Sequence, residues 1–255
     1  MDLFWGIFLT VAGAAIGSFL NVLIYRIPEG QSIIFPSSRC PKCTHGIRFY
    51  DNIPVISYLV LRGRCRDCHE KISLRYPFVE AVTALLSIFL FWKFGLSIKY
   101  LFSFIFTCAL IVITFIDLDH QIIPDVITLP GIPLFFLMAI FFMGIPVLES
   151  LLGILIGGGC LFAIAFIYEI IAKREGMGGG DIKLLAMLGA FLGWKSLFFI
   201  LFVSSLLGAV VGISLMIAKG KDMKYAVPFG PFLSIAAVAY LFVGIDIMNF
   251  LYFRY

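Results

Sequence analysis

The chain has 255 residues and a formal net charge of +4; 62% of its residues are hydrophobic, only 13% are charged, and 28 are phenylalanine. A soluble globular domain carries roughly 45–50% apolar residues, so this composition excludes one and defines an integral membrane protein. The charge is informative through its placement along the chain, and no nucleic-acid partner is expected from it.

The first apolar run, about residues 3 to 25, follows an acidic start at Met1-Asp2 and precedes Arg26. That order of charge is the reverse of a secretory signal, so a retained helix is expected. Residues 26 to 76 then form the one polar segment large enough to fold separately. It contains two CxxC pairs, Cys40 with Cys43 and Cys65 with Cys68, separated by 21 residues. Two such knuckles bring four thiolates around one tetrahedral Zn²⁺, which holds together a small domain with little core of its own. Four sulfurs leave no open coordination position, so the expected role is structural. Disulfides are the weaker alternative for a loop on the reducing side of the membrane. Cys108 and Cys160 lie in apolar runs and read as small hydrophobes.

Further apolar runs follow at about 77 to 93, 99 to 118, 125 to 144, 147 to 171, 182 to 198, 198 to 218 and 228 to 250, giving eight expected crossings in all. The sixth and seventh form one stretch, divided here at Gly193-Trp194-Lys195, because Trp and Lys suit a membrane interface. Fifteen of the nineteen Lys and Arg fall in three loops, at residues 26–75, 173–183 and 219–224. The positive-inside rule then puts those loops in the cytoplasm and both termini outside.

Four carboxylates lie where apolar runs begin or end on that same side: Asp117, Asp119 and Asp125 in "FIDLDHQIIPD", and Asp181 in "GMGGGDIKL". Asp119 and Asp125 flank a turn closed by Pro124, where a solvated or capping carboxylate is ordinary. Asp117 lies deeper in its run, and the glycines before Asp181, Gly178 and Gly180 among them, allow another chain to approach its backbone closely. Two carboxyl groups held together cannot both ionise, so one acts as base while the other keeps its proton. Such a pair hydrolyses amides, as in an aspartic protease, or carries protons in a coupled transporter. Glu80 reads as a first-turn carboxylate at a helix start, and Glu169 as the partner of Lys173 at helical spacing.

The segments "GSFLNVLIYRIP", the two CxxC pairs, "NIPVISYL", "RYPFVE", "IDLDHQIIPD", "GMGGGDIKLLAMLGA" and "PFGPFL" together resemble the prepilin peptidases of bacteria. The resemblance implies an all-α polytopic membrane enzyme of about eight helices: helix 1 at 1–25, a cytoplasmic zinc domain at 26–76 and a seven-helix membrane domain at 77–255. It implies that Asp117 and Asp181 form the catalytic dyad of a GxGD aspartic protease, with Gly178 and Gly180 in its motif. The expected substrates are type IV prepilins and pseudopilins, cut after a glycine at the cytoplasmic face of the plasma membrane. A GxGD protease of other substrates and a proton-coupled transporter are the alternatives. The resemblance further implies N-methylation of the new terminus with S-adenosyl-L-methionine, for which the chain shows no Rossmann-type strand and glycine-rich turn. Family members carry Gly-Lys before the third cysteine, where this chain has Gly63-Arg64, the expected cofactor-binding residues.

Overall fold

The computed structural model describes residues 2–172, 178–219 and 227–244. Within them every regular element is helical and no strand occurs, only two isolated bridges, Arg39 with Gly46 and Arg64 with Lys71. The helices are α1 (Asp2–Arg26), α2 (Ile56–Val60), α3 (Arg75–Phe94), α4 (Ile98–His120), α5 (Asp125–Met138), α6 (Val147–Ala172), α7 (Gly179–Leu192), α8 (Trp194–Lys219) and α9 (Gly230–Ala239). A π-turn extends α5 over Ala139–Met143 and another extends α9 over Tyr240–Gly244. Among the described residues six helices are long and apolar enough to cross a membrane: α1, α3, α4, α5 with its π-turn, α6 and α8.

The exposed side chains explain why such helices need lipid. Along α8, Phe198, Phe202, Leu206, Val210, Ile213 and Ile217 are exposed at a spacing of three or four residues. That is one continuous apolar face, which water would not tolerate and a bilayer matches. The helices satisfy their own backbone groups, the condition for residence in hydrocarbon.

Packing divides the chain into two compact units, Met1–Val112 and Ile113–Tyr255. In the first, α1 lies on α3 along a seam of small residues. A Cβ on Gly17 would meet the Glu80 backbone at 2.7 Å, and one on Gly13 would meet Ser87 at 2.8 Å. Polar groups tie the same seam: Ser87 donates to the Leu9 carbonyl at 3.0 Å, and buried Asn21 donates to the Tyr76 carbonyl at 3.1 Å. Glu80 departs from the sequence expectation. It is the sixth residue of α3 rather than a first-turn acid, and its carboxylate accepts the Val55 N–H at 2.7 Å. Val55 has φ +60°, a costly value for a β-branched residue, so Glu80 fixes a strained turn inside "NIPVISYL".

In the second unit α7 is the central helix, packed on α5 and α6. Its contact with α6 is backbone on backbone, since a Cβ on Gly153 would strike the Gly189 carbonyl and one on Gly157 would strike the Leu185 carbonyl. Residues 184–191 of α7 are buried without interruption. The expected division of the long apolar stretch falls at Gly193, whose φ of +80° ends α7 one residue before α8 begins. The sixth run is therefore shorter than the expected 182 to 198. Glu169 with Lys173, and the basic loop at 219–224, lie outside the side chains and residues described.

Candidate active site

The two CxxC segments fold as two copies of one knuckle. Cys40 N–H donates to the His45 carbonyl and Thr44 N–H to the Cys40 carbonyl; Cys65 N–H donates to Glu70 and His69 N–H to Cys65 in the same pattern. Thr44 and His69 take matching left-handed φ values of +58° and +57°. The four sulfurs converge within 4.8 Å of one another, and Cys40 Sγ lies 3.8 Å from Cys68 Sγ. A tetrahedral ion with Zn–S bonds of about 2.3 Å requires sulfurs about 3.8 Å apart, so the four cysteines fit zinc. The Cys43 backbone N–H brings the Cys40 thiol down to about 7. At Cys68 the Glu70 backbone acts in the same direction, but burial and the neighbouring thiols outweigh it and push the group up to about 12. Thiols this close do not all ionise until a divalent cation offsets their charge.

Beside the second knuckle, Arg66 holds Asp51 with both carboxylate oxygens, at 2.6 to 3.1 Å, and its guanidinium lies 5.5 Å from the Tyr50 ring. Gly63 is buried with φ +66°, and a Cβ there would meet the Tyr58 hydroxyl at 2.7 Å. The turn and the Tyr58 ring therefore account for the glycine, and that ring fills the space beside it. Arg64 is exposed.

The second unit places the carboxylates. Asp117 sits in the last turn of α4, 5% exposed. Gln121 then takes φ +56° and its N–H donates back to the Asp117 carbonyl at 2.9 Å, which ends the helix and turns the chain. Gly178 caps α7 with extended backbone, which puts Asp181 in the first turn of that helix. Both aspartates line one cavity of about 560 Å³, with residues 121–123, 178–180 and 227–229 completing its wall. Gly178 is exposed and leaves room before Asp181; Gly180 packs against Ile123, where a Cβ would come within 2.8 Å. Asp181 Oδ1 is buried with no hydrogen-bond partner among the described residues.

Asp119 and Asp125 stand apart from that cavity's lining. Asp125 begins α5 and accepts Lys183 Nζ with both oxygens, at 2.7 and 2.8 Å, which ties the starts of α5 and α7 together. Sequence reasoning missed Lys183 as its partner. It also missed Gly230, whose N–H donates to Asp117 Oδ2 at 3.0 Å. The signal was present in "PFGPFL", a glycine and proline opening an apolar run after a loop.

Fold and site together define a multi-pass helical membrane protein with two carboxylates in one cavity and a four-thiol cluster whose geometry suits a metal ion. Residues 11–94 match the bacterial peptidase A24 N-terminal domain, and residues 104–213 match the type IV leader peptidase family. The chain belongs to the type IV leader peptidase family. A prepilin leader peptidase/N-methyltransferase of Pseudomonas putida is 40% identical to it, covering 89% of this chain and 86% of the relative. Enzymes of the same name from Pseudomonas aeruginosa and Neisseria gonorrhoeae are 36% and 39% identical, covering 88% and 89% of this chain and 85% and 86% of the relatives. No solved structure matches it.

Proposed function

We propose that the chain is a membrane-embedded aspartic endopeptidase that removes the leader of type IV prepilins and pseudopilins, with Asp117 and Asp181 as its catalytic pair, and then N-methylates the new terminus. The observation that carries the protease reading is that two aspartates far apart in sequence line one cavity next to unobstructed glycine backbone. Membership in the leader peptidase family, and relatives named for both activities, support the same reading.

The chemistry follows from the pair. The ionised carboxylate takes a proton from water as the water oxygen bonds to the scissile carbonyl carbon; the protonated carboxyl then gives its proton to the departing nitrogen as the C–N bond breaks. The two groups have exchanged roles, and one proton transfer restores them. Of the motif glycines expected to open the approach to Asp181, exposed Gly178, with Gly179 beside it, keeps side chains off, so that an extended substrate can lie there, whereas Gly180 makes room for Ile123.

The six long helices, together with α7 and the α9 segment as two shorter crossings, make eight, an even number that leaves both termini on one side. With the basic loops cytoplasmic, residues 26–76 and the carboxylate cavity face the cytoplasm, where a leader would be presented at the plasma membrane. Seven of the helices then form the membrane domain at 77–255. One zinc ion held by Cys40, Cys43, Cys65 and Cys68 fastens the two knuckles and serves no step of the cleavage.

S-adenosyl-L-methionine, when bound, supplies an electrophilic methyl group to the freed amine. The surroundings of Gly63 form no cradle for it, because Tyr58 fills that space. Exposed Arg64 is our assignment for an anionic group of that cofactor, and Arg64→Ala is the discriminating substitution, since bulk at position 63 would disturb the turn regardless. The whole reading is tested by incubating the purified protein with a prepilin peptide and S-adenosyl-L-methionine. It predicts one cut after glycine and a gain of about 14 Da on the new terminus, a single methylene's mass on the amine. An uncut peptide contradicts the protease, and Arg64→Ala protein that methylates normally removes the Arg64 assignment.

A further inference from the structure

We propose that Gly230 is a positioning residue for the aspartate pair, and that its backbone N–H makes Asp117 the ionised base and leaves Asp181 as the acid. This rests on the reading of Asp117 and Asp181 as the catalytic pair.

The two carboxyl groups share a cavity but not an environment. Asp117 Oδ2 accepts the Gly230 N–H at 3.0 Å in a buried setting, from the first residue of α9. An amide N–H aimed at a carboxylate favours its charged form, and the unpaired amides of a helix N-terminus act in the same direction. Asp181 Oδ1 is buried and meets no donor among the described residues, which favours the neutral form that can donate. Near the cavity, the other titratable groups on the described elements that carry the site are Asp119 and His120 at the end of α4, and Asp125 with Lys183, which are paired to each other; Lys99, Tyr100 and Cys108 lie nine or more residues before Asp117 on α4, and α9 itself carries none.

Only glycine fits at position 230. A Cβ there would meet Asp117 Oδ2 at 2.6 Å and Ile123 Cδ1 at 3.1 Å. Ile123 also packs on Gly180, so one side chain spaces the α9 start from the α7 start. Any side chain at 230 would push the Asp117 carboxylate off its donor.

Two replacements test this on the full-length protein in detergent or vesicles. Gly230→Ala should cleave a prepilin peptide at least tenfold more slowly than the parent, while Gly212→Ala, with nothing within 4 Å of its Cβ, should not. An amide-to-ester replacement of the residue 230 backbone removes the donor and adds no bulk. A hydrogen bond to a charged group is worth about tenfold or more in an equilibrium, so the acid limb of the kcat/KM profile should move up by about one pH unit. An ester protein whose acid limb is unmoved, or whose alkaline limb moves instead, overturns the proposal. Asp117→Asn separates the two readings: if that variant still cleaves, the catalytic pair itself is wrong, whereas an inactive Asp117→Asn with an unmoved ester profile refutes only the role of Gly230.

Discussion

At the scale of single residues, polar groups gain their meaning from partners that local sequence does not name. Asp117 and Asp181 were legible because a carboxylate at the end of an apolar run is costly there and calls for a reason. Lys183 and Gly230 were not, because their partners, Asp125 and Asp117, lie in distant parts of the chain and only packing brings them within 3 Å. Glu80 was misread for the same reason: its partner is a strained backbone N–H in another segment. The Asp51–Arg66 pair yields a pH prediction. The Arg66 hydrogen bonds hold the Asp51 carboxyl below its ordinary value, so the pair's stabilisation is fully present above the usual carboxylate range, near pH 4, and disappears as pH falls through the lower folded value. Hydrogen-exchange protection of residues 49–52 should therefore be greater in the parent than in Arg66→Met at pH 6. The difference should close on acidification below about pH 4, and a difference that widens would contradict the pairing.

At the scale of elements, long apolar runs are legible because a bilayer sets their length, while short ones are not. A helix the length of α7 rises only about 21 Å, less than a hydrocarbon core of about 30 Å, and its limits were set by Gly193 rather than by hydropathy. The close approach of α6 and α7 depends on glycines, so Gly153→Leu should lower thermal stability by several degrees and reduce activity, because backbone faces it and cannot give way. Gly159→Leu, facing open space, is the matched control and should change neither. The paired knuckles make the metal element equally testable. Elemental analysis should find one zinc per chain, lost when any of the four cysteines becomes Ser, and metal-free protein with four reactive thiols and full activity would refute the site.

At the scale of the whole molecule, the two compact units carry different chemistry: a four-thiol cluster in the first and a carboxylate cavity in the second. The spacing of the cysteines announced the first of these directly. The cavity needed the fold, because its wall combines three stretches that no periodicity connects, residues 121–123, 178–180 and 227–229. Loss of zinc should therefore damage the first unit before it slows proteolysis, since the carboxylates need no metal. The central claim is that Asp117 and Asp181 cut the peptide. It is tested most directly by measuring cleavage of a prepilin peptide by membrane-inserted Asp117→Asn, Asp181→Asn and Asp119→Asn proteins side by side. The account predicts that the first two leave the peptide whole, because an amide cannot exchange the proton the pair shares, while Asp119→Asn keeps most of its activity. Cleavage by either of the first two, or an inactive Asp119→Asn beside an active Asp117→Asn, would contradict it.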